Sequence, residues 1–176
     1  MAEEVRINKT SVKGFFKIGT DWENSKKWFY LSLIFLLVIV ILGTYIRTVN
    51  ISQLRDVTTG NYTLGPDLDP FFYLRLAEHI VETGSLPFPD TMRYLGLGGL
   101  YKDLISFGIA YLYQFLSLFS KNISLEYTAI IFPVIAFGIS IIIFFFFVRE
   151  IFSGRNKFER NIIAVAATLL YSVIPQ

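Results

Sequence analysis

Asp67 and Asp69 are the residues whose type and spacing could do chemistry in this chain. They stand in Gly65-Pro66-Asp67-Leu68-Asp69-Pro70-Phe71-Phe72-Tyr73-Leu74-Arg75. Carboxylates two positions apart in an extended loop can converge on one hard divalent cation, which takes oxygen ligands. Asp69 also has a plainer reading, as an N-cap followed by proline at the first helical position. On that reading a helix runs over about 70–83, with Leu74, Ala77, Ile80 and Val81 on one face. Arg75, Glu78, His79 and Glu82 occupy the other face, and Gly84 supplies the stop. Arg75 lies three residues before Glu78, the spacing of a surface ion pair. His79 is the only histidine, and its place on the polar face makes it a solvated or interfacial residue. The chain has no cysteine, which removes thiol nucleophiles, cysteine-ligated zinc and iron–sulfur clusters. It also has no phosphate-binding glycine-rich loop, Ser/His/Asp constellation or histidine spacing for a metal.

The elements that must hold the two aspartates are apolar helices. Of the 176 residues, 53% are hydrophobic and 17% charged. A soluble chain has nearer 45–50% apolar and about 25% charged. The excess sits in two uncharged runs, Trp28–Ile46 and Tyr127–Val148. Each approaches the roughly 20 residues that cross a bilayer core. An ordinary soluble enzyme, a disordered regulator and a secreted disulfide scaffold are thereby excluded. The net charge of +2 is too small to argue for nucleic acid. The first run is longer than the apolar part of a signal peptide and no small-residue cleavage site follows it, so it reads as a retained anchor.

Lysine and arginine decide the sidedness, because cytoplasmic loops collect them. A weaker apolar run, Leu104–Phe119, leaves two arrangements open. If it crosses, seven basic residues fall inside and eight outside. If it does not, ten fall inside and five outside, the latter spread over the 78 residues from Val49 to Glu126. The second arrangement is the expectation. It gives a basic cytoplasmic arm (1–27), a first transmembrane helix (28–48) and an external loop (49–126). A second transmembrane helix (127–148), a basic cytoplasmic loop (149–160) and the start of a third (161–176) follow. Inside the external loop, helices are expected over about 70–83 and 103–119. In the latter, Asp103, Ser106, Ala110, Gln114 and Ser117 form a small and polar stripe opposite Leu, Ile, Phe and Tyr. Such a helix can lie in the membrane interface or pack on the ends of the spans. The last helix would rise only about 22 Å before Gln176, so the chain is expected to be the N-terminal piece of something longer.

At Asp67–Arg75 the sequence resembles the first Asp-x-Asp motif of the catalytic subunit of oligosaccharyltransferases, above all the archaeal ones. That motif runs Asp-x-Asp-Pro, two aromatics, two residues, then Arg. Its place early in the first external loop agrees, and so do Gly84 and Asp90-Thr91-Met92-Arg93-Tyr94. One departure is plain: Gly96 stands where the family commonly has proline. The family's second acidic motif, its later external-loop glutamate and its Trp-Trp-Asp-Tyr-Gly segment are not in this chain.

The resemblance implies an all-α membrane protein, the N-terminal part of a multi-span GT-C-type domain with a long helical first external loop. It implies transfer of an oligosaccharide from a polyprenyl phosphate or diphosphate carrier to the Asn of Asn-X-Ser/Thr in an acceptor protein or peptide. Asp69 would be the catalytic residue and a metal ligand, Asp67 the second metal ligand, and Mn²⁺ or Mg²⁺ the cofactor. Arg75 would contact the carrier phosphate, as the alternative to its ion pair with Glu78. The alternatives are another polyprenyl-phosphate-dependent GT-C glycosyltransferase, or a non-catalytic membrane subunit in which the aspartates merely cap a helix. Four Asn-x-Ser/Thr tripeptides begin at Asn8, Asn50, Asn61 and Asn122, the last three on the expected outer side.

Overall fold

The computed structural model describes residues 26–65, 67–90, 92 and 103–174. Among these the secondary structure is helical: α1 (Lys26–Thr48), α2 (Leu68–Thr83), α3 (Leu104–Ser117), α4 (Leu125–Ile151) and α5 (Lys157–Val173). A single 3₁₀ turn, Ile51–Gln53, follows α1. Two helices, α1 and α4, are long and apolar enough to cross a membrane. The second outruns the expected 127–148 at both ends, and α5 starts at Lys157, inside the stretch expected as loop. The basic arm before Lys26, the Asn8 tripeptide, and Arg93, Tyr94 and Gly96 lie outside the described residues.

The chain divides into two compact units, Thr44–Phe137 and the described parts of Met1–Gly43 with Gly138–Gln176. In the first, α2 packs on α3. Leu74, Ala77 and Ile80 of α2 meet Ile109 and Ala110 of α3 in a core closed by Leu64 and Ala129. The first half of the stripe foreseen on α3 makes this contact possible, while Gln114 is exposed. Ser106 and Ala110 are fully buried, and small side chains let two helices approach closely. Asp103 caps α3 by accepting from the Ser106 backbone N–H at 3.2 Å and from its hydroxyl. Ile109 is buried beside them, while Leu104, at 82% exposure, and Tyr111, Phe115, Leu118 and Phe119 are exposed.

Gly108 sits on α3 where a Cβ would lie 2.6 Å from the Phe132 ring of α4. Filling that space overpacks the core. Gly108→Leu is expected to destabilise the protein by about 1–3 kcal/mol, read as a lowered unfolding midpoint in detergent, while an unchanged midpoint would show the ring swings aside freely.

In the second unit, α5 turns small and polar residues inward. Asn161, Ala164, Thr168 and Ser172 line the buried face of α5, and Ile162, Leu169, Leu170 and Val173 are exposed. Ile141, Phe145 and Val148 of α4 are buried, as are Ser32, Leu36 and Ile39 of α1. The Tyr171 ring stacks on Phe144 at 4.7 Å, and its hydroxyl meets the Ser140 hydroxyl at 3.1 Å. Arg149 donates to Asn161 Oδ1 at 3.0 Å and lies over the Phe29 ring. On α5, small and polar residues inside with Ile, Leu and Val outside is the reverse of water-soluble packing and an arrangement that lipid as solvent favours.

Candidate active site at the head of helix α2

The helix carrying the aspartates begins two residues earlier than the sequence rules place it. Asp67, not Asp69, is the N-cap: its backbone is extended (φ −87°, ψ 151°) and its Oδ1 accepts the Leu68 N–H at 2.8 Å. Pro70 becomes the third helical residue. It fits there because the first four N–H groups of a helix have no partner within it. Asp69 is therefore a first-turn residue, where the helix dipole favours a negative charge.

Both carboxylates are exposed, and that of Asp69 makes no hydrogen bond to any described residue. Leu68 beside them is 84% exposed and Phe71 is exposed too. The head of α2 thus presents two carboxylates and a bare apolar surface together. At the other end the expected stop is in place: Gly84 adopts φ +78°, and its N–H closes on the Ile80 carbonyl at 2.8 Å.

Arg75 has a partner that no local pattern announces. Its Nη1 and Nη2 donate to Oδ1 and Oδ2 of Asp90 at 2.9 and 2.7 Å, a two-pronged pair. Asp90 is 2% exposed and also accepts the Met92 N–H at 3.2 Å. The bond to Asp90, with its charge, raises the Arg75 pKa further above its ordinary value. This corrects the expected ion pair with Glu78. It also spends two donors that a carrier phosphate would have used. The signal for Asp90 was slight: an acid directly after Pro87-Phe88-Pro89, a stretch too stiff to let it wander.

The pair borders an open cleft of about 470 Å³, lined also by Glu78, His79, Glu82 and Phe88. Asp67 and Asp69 do not line it, so Arg75 and the two aspartates belong to different surfaces. Burial pushes the Glu78 carboxyl above its usual range, and the charges on Glu126 and Glu82 add to this. His79 is fixed rather than free: its Nδ1 lies 2.8 Å from the Ser85 carbonyl and 2.9 Å from the Thr83 hydroxyl.

Among the described residues no cluster of three or more His, Cys, Asp or Glu could hold a metal ion. Two exposed carboxylates are still the set through which Mg²⁺ is commonly held, with substrate phosphate and water completing its shell. Asp67 and Asp69 stand at the cap and in the first turn of α2 rather than in the extended loop that their spacing suggested. No protein-family model, curated protein or solved structure matches this chain.

Proposed function

We propose that the protein acts in the membrane as an oligosaccharyltransferase catalytic subunit of GT-C type, moving an oligosaccharide from a polyprenyl phosphate or diphosphate carrier to the Asn of Asn-X-Ser/Thr. The observation that carries this reading is the Asp67-Leu68-Asp69-Pro70-Phe71-Phe72 stretch at an exposed helix head, joined to an apolar helix long enough to span a bilayer. The outward apolar faces of α3 and α5 support the membrane setting. On this reading α3 lies in the outer interface with Leu104, Tyr111 and Phe115 toward lipid.

Asp67 and Asp69 would hold Mn²⁺ or Mg²⁺ through carboxylate oxygens. When bound, such an ion neutralises the charge that develops on a leaving phosphate oxygen. Asp69 has its carboxylate uncommitted and is the group to accept a hydrogen bond from the acceptor amide N–H, fixing that weak nucleophile toward the sugar carbon. Asp67 gives one oxygen to the helix cap and is the lesser ligand. Phe71 and Leu68 provide apolar surface where a polyprenyl carrier enters. The test is glycopeptide formation by the protein, expressed from its own gene in membranes, given lipid-linked oligosaccharide, acceptor peptide and Mn²⁺. A glycosylated peptide is expected; none, from correctly inserted protein, would refute the assignment.

The same reading places residues 49–126 outside and the turn after α4 inside. With no native cysteine, single substitutions report this directly. Lys121→Cys is expected to react with an impermeant maleimide from the outer side of sealed vesicles, and Arg155→Cys only from the cytoplasmic side. Labelling of Lys121→Cys from the cytoplasmic side alone would mean that Leu104–Phe119 crosses.

A further inference from the structure

The end of the second unit where α4 gives way to α5 gathers positive charge. Residues 149–160 hold Arg149, Arg155, Lys157 and Arg160 against Glu150 and Glu159. Arg155 and Lys157 are exposed, but Arg149 and Arg160 are half-buried and brought together by the fold. Arg149 stands in the last turn of α4, and its Nε donates at 3.0 Å to Oδ1 of Asn161, the residue after Arg160. Its guanidinium lies 4.6 Å from the centre of the Phe29 ring and 5.8 and 5.9 Å from those of Phe145 and Phe146. The Arg160 charge repels it, more strongly than the Glu150 charge attracts it.

Arg160 is less settled still. Its Nε is buried and has no hydrogen-bond partner among the described residues, and neither arginine forms an ion pair with one of them. Burying a polar group without a bond is costly, and burying part of a cation more so. Buried donors are nearly always satisfied, so this one calls for an acceptor. Two like charges held close call for a partner of opposite sign. One anion answers both, and phosphate oxygens match the forked donors of guanidinium.

The surroundings decide which phosphate. Phe146, Phe147 and Ile151 stand within one turn of Arg149, Ile162 stands two residues past Arg160, and all four are exposed. A phosphate free in water gains nothing from that surface, whereas acyl chains attached to one bury themselves against it. Trp28 meets Phe158 edge-on at 4.7 Å beside the same turn, an aromatic of the kind that collects where a membrane meets water. Basic pockets between membrane helices on the cytoplasmic side hold anionic headgroups by this combination.

We propose that Arg149 and Arg160 bind the phosphate of an anionic phospholipid headgroup, whose acyl chains lie along the exposed apolar side chains of α4 and α5. The site needs the membrane setting proposed above but not the transfer chemistry assigned to Asp69.

The full chain is reconstituted into phosphatidylcholine vesicles, extracted in mild detergent and titrated with phosphatidylglycerol, with phosphatidylcholine of the same acyl chains, and with inorganic phosphate. Bound lipid is counted by native mass spectrometry. Saturable binding of phosphatidylglycerol about tenfold or more tighter than phosphatidylcholine is expected, undisturbed by an equal concentration of inorganic phosphate. Arg160→Gln, which breaks no side-chain bond to a described residue, and Arg149→Gln should each abolish the preference. Arg155→Gln removes the same charge from an exposed place in the turn and should leave it intact. Equal binding of the two lipids, a preference that survives both variants, an equal loss in Arg155→Gln, or displacement by inorganic phosphate would overturn the proposal. A chain that enters the vesicles and shows no preference refutes this site alone; a chain that stays out refutes the membrane setting with it.

Discussion

Arg75→Leu is expected to cost about 3–5 kcal/mol of stability, the penalty for removing the cation that faces a buried carboxylate. Asp90, 2% exposed, keeps its carboxylate while losing both guanidinium bonds and the opposite charge beside it. The loss should appear as a large drop in the unfolding midpoint, with the 84–92 segment cut early by protease, because that pair ties it to α2. A second variant separates charge from packing. Adding Asp90→Leu to Arg75→Leu removes the stranded charge and should recover most of the loss, since replacing both members of a buried pair with apolar residues is often near neutral. A single Arg75→Leu change that costs under about 1 kcal/mol would mean that the pair behaves as an exposed one.

How much of this could be read in the sequence depends on how local the cause is. Gly84 was legible because a helix end in the left-handed region selects glycine whatever the rest of the fold does. The two long apolar helices were legible because length and apolarity are local sums. The α3 stripe was visible as a pattern, but its direction was not. Ser106 and Ala110 turn inward because α2 offers Ala77 and Ile80 as a close partner, and that depends on tertiary structure. The start of α2 was misplaced because Pro70 satisfies any of the first helical positions equally, so proline alone cannot tell a cap at Asp69 from one at Asp67. Arg75 was paired with Glu78 for its spacing, yet Asp90, fifteen residues away, offers two oxygens in one plane out of water.

The correction at the head of α2 sharpens the case at Asp69. With the cap at Asp67, the Asp69 carboxylate has no hydrogen bond to a described residue to lose, and its contribution is a first-turn charge worth about 0.3–1 kcal/mol. Asp69→Asn keeps shape and size and leaves the cap intact. Asp67→Asn keeps a good cap too, because asparagine and aspartate rank together there. Any large loss of activity in Asp69→Asn therefore reports chemistry rather than folding. The loss should exceed that in Asp67→Asn, whose carboxylate is partly committed to the Leu68 N–H. Raising Mn²⁺ should recover part of it, as expected where a missing ligand weakens metal affinity.

The most direct measurement is the single-turnover rate of glycan transfer by wild-type and Asp69→Asn protein in the same membranes, each shown by labelling at Lys121→Cys to be correctly inserted. A fall of about a hundredfold or more, roughly 2.7 kcal/mol of transition-state stabilisation, with an unchanged unfolding midpoint is the predicted result. An inserted, folded Asp69→Asn protein that transfers glycan at the wild-type rate would contradict it.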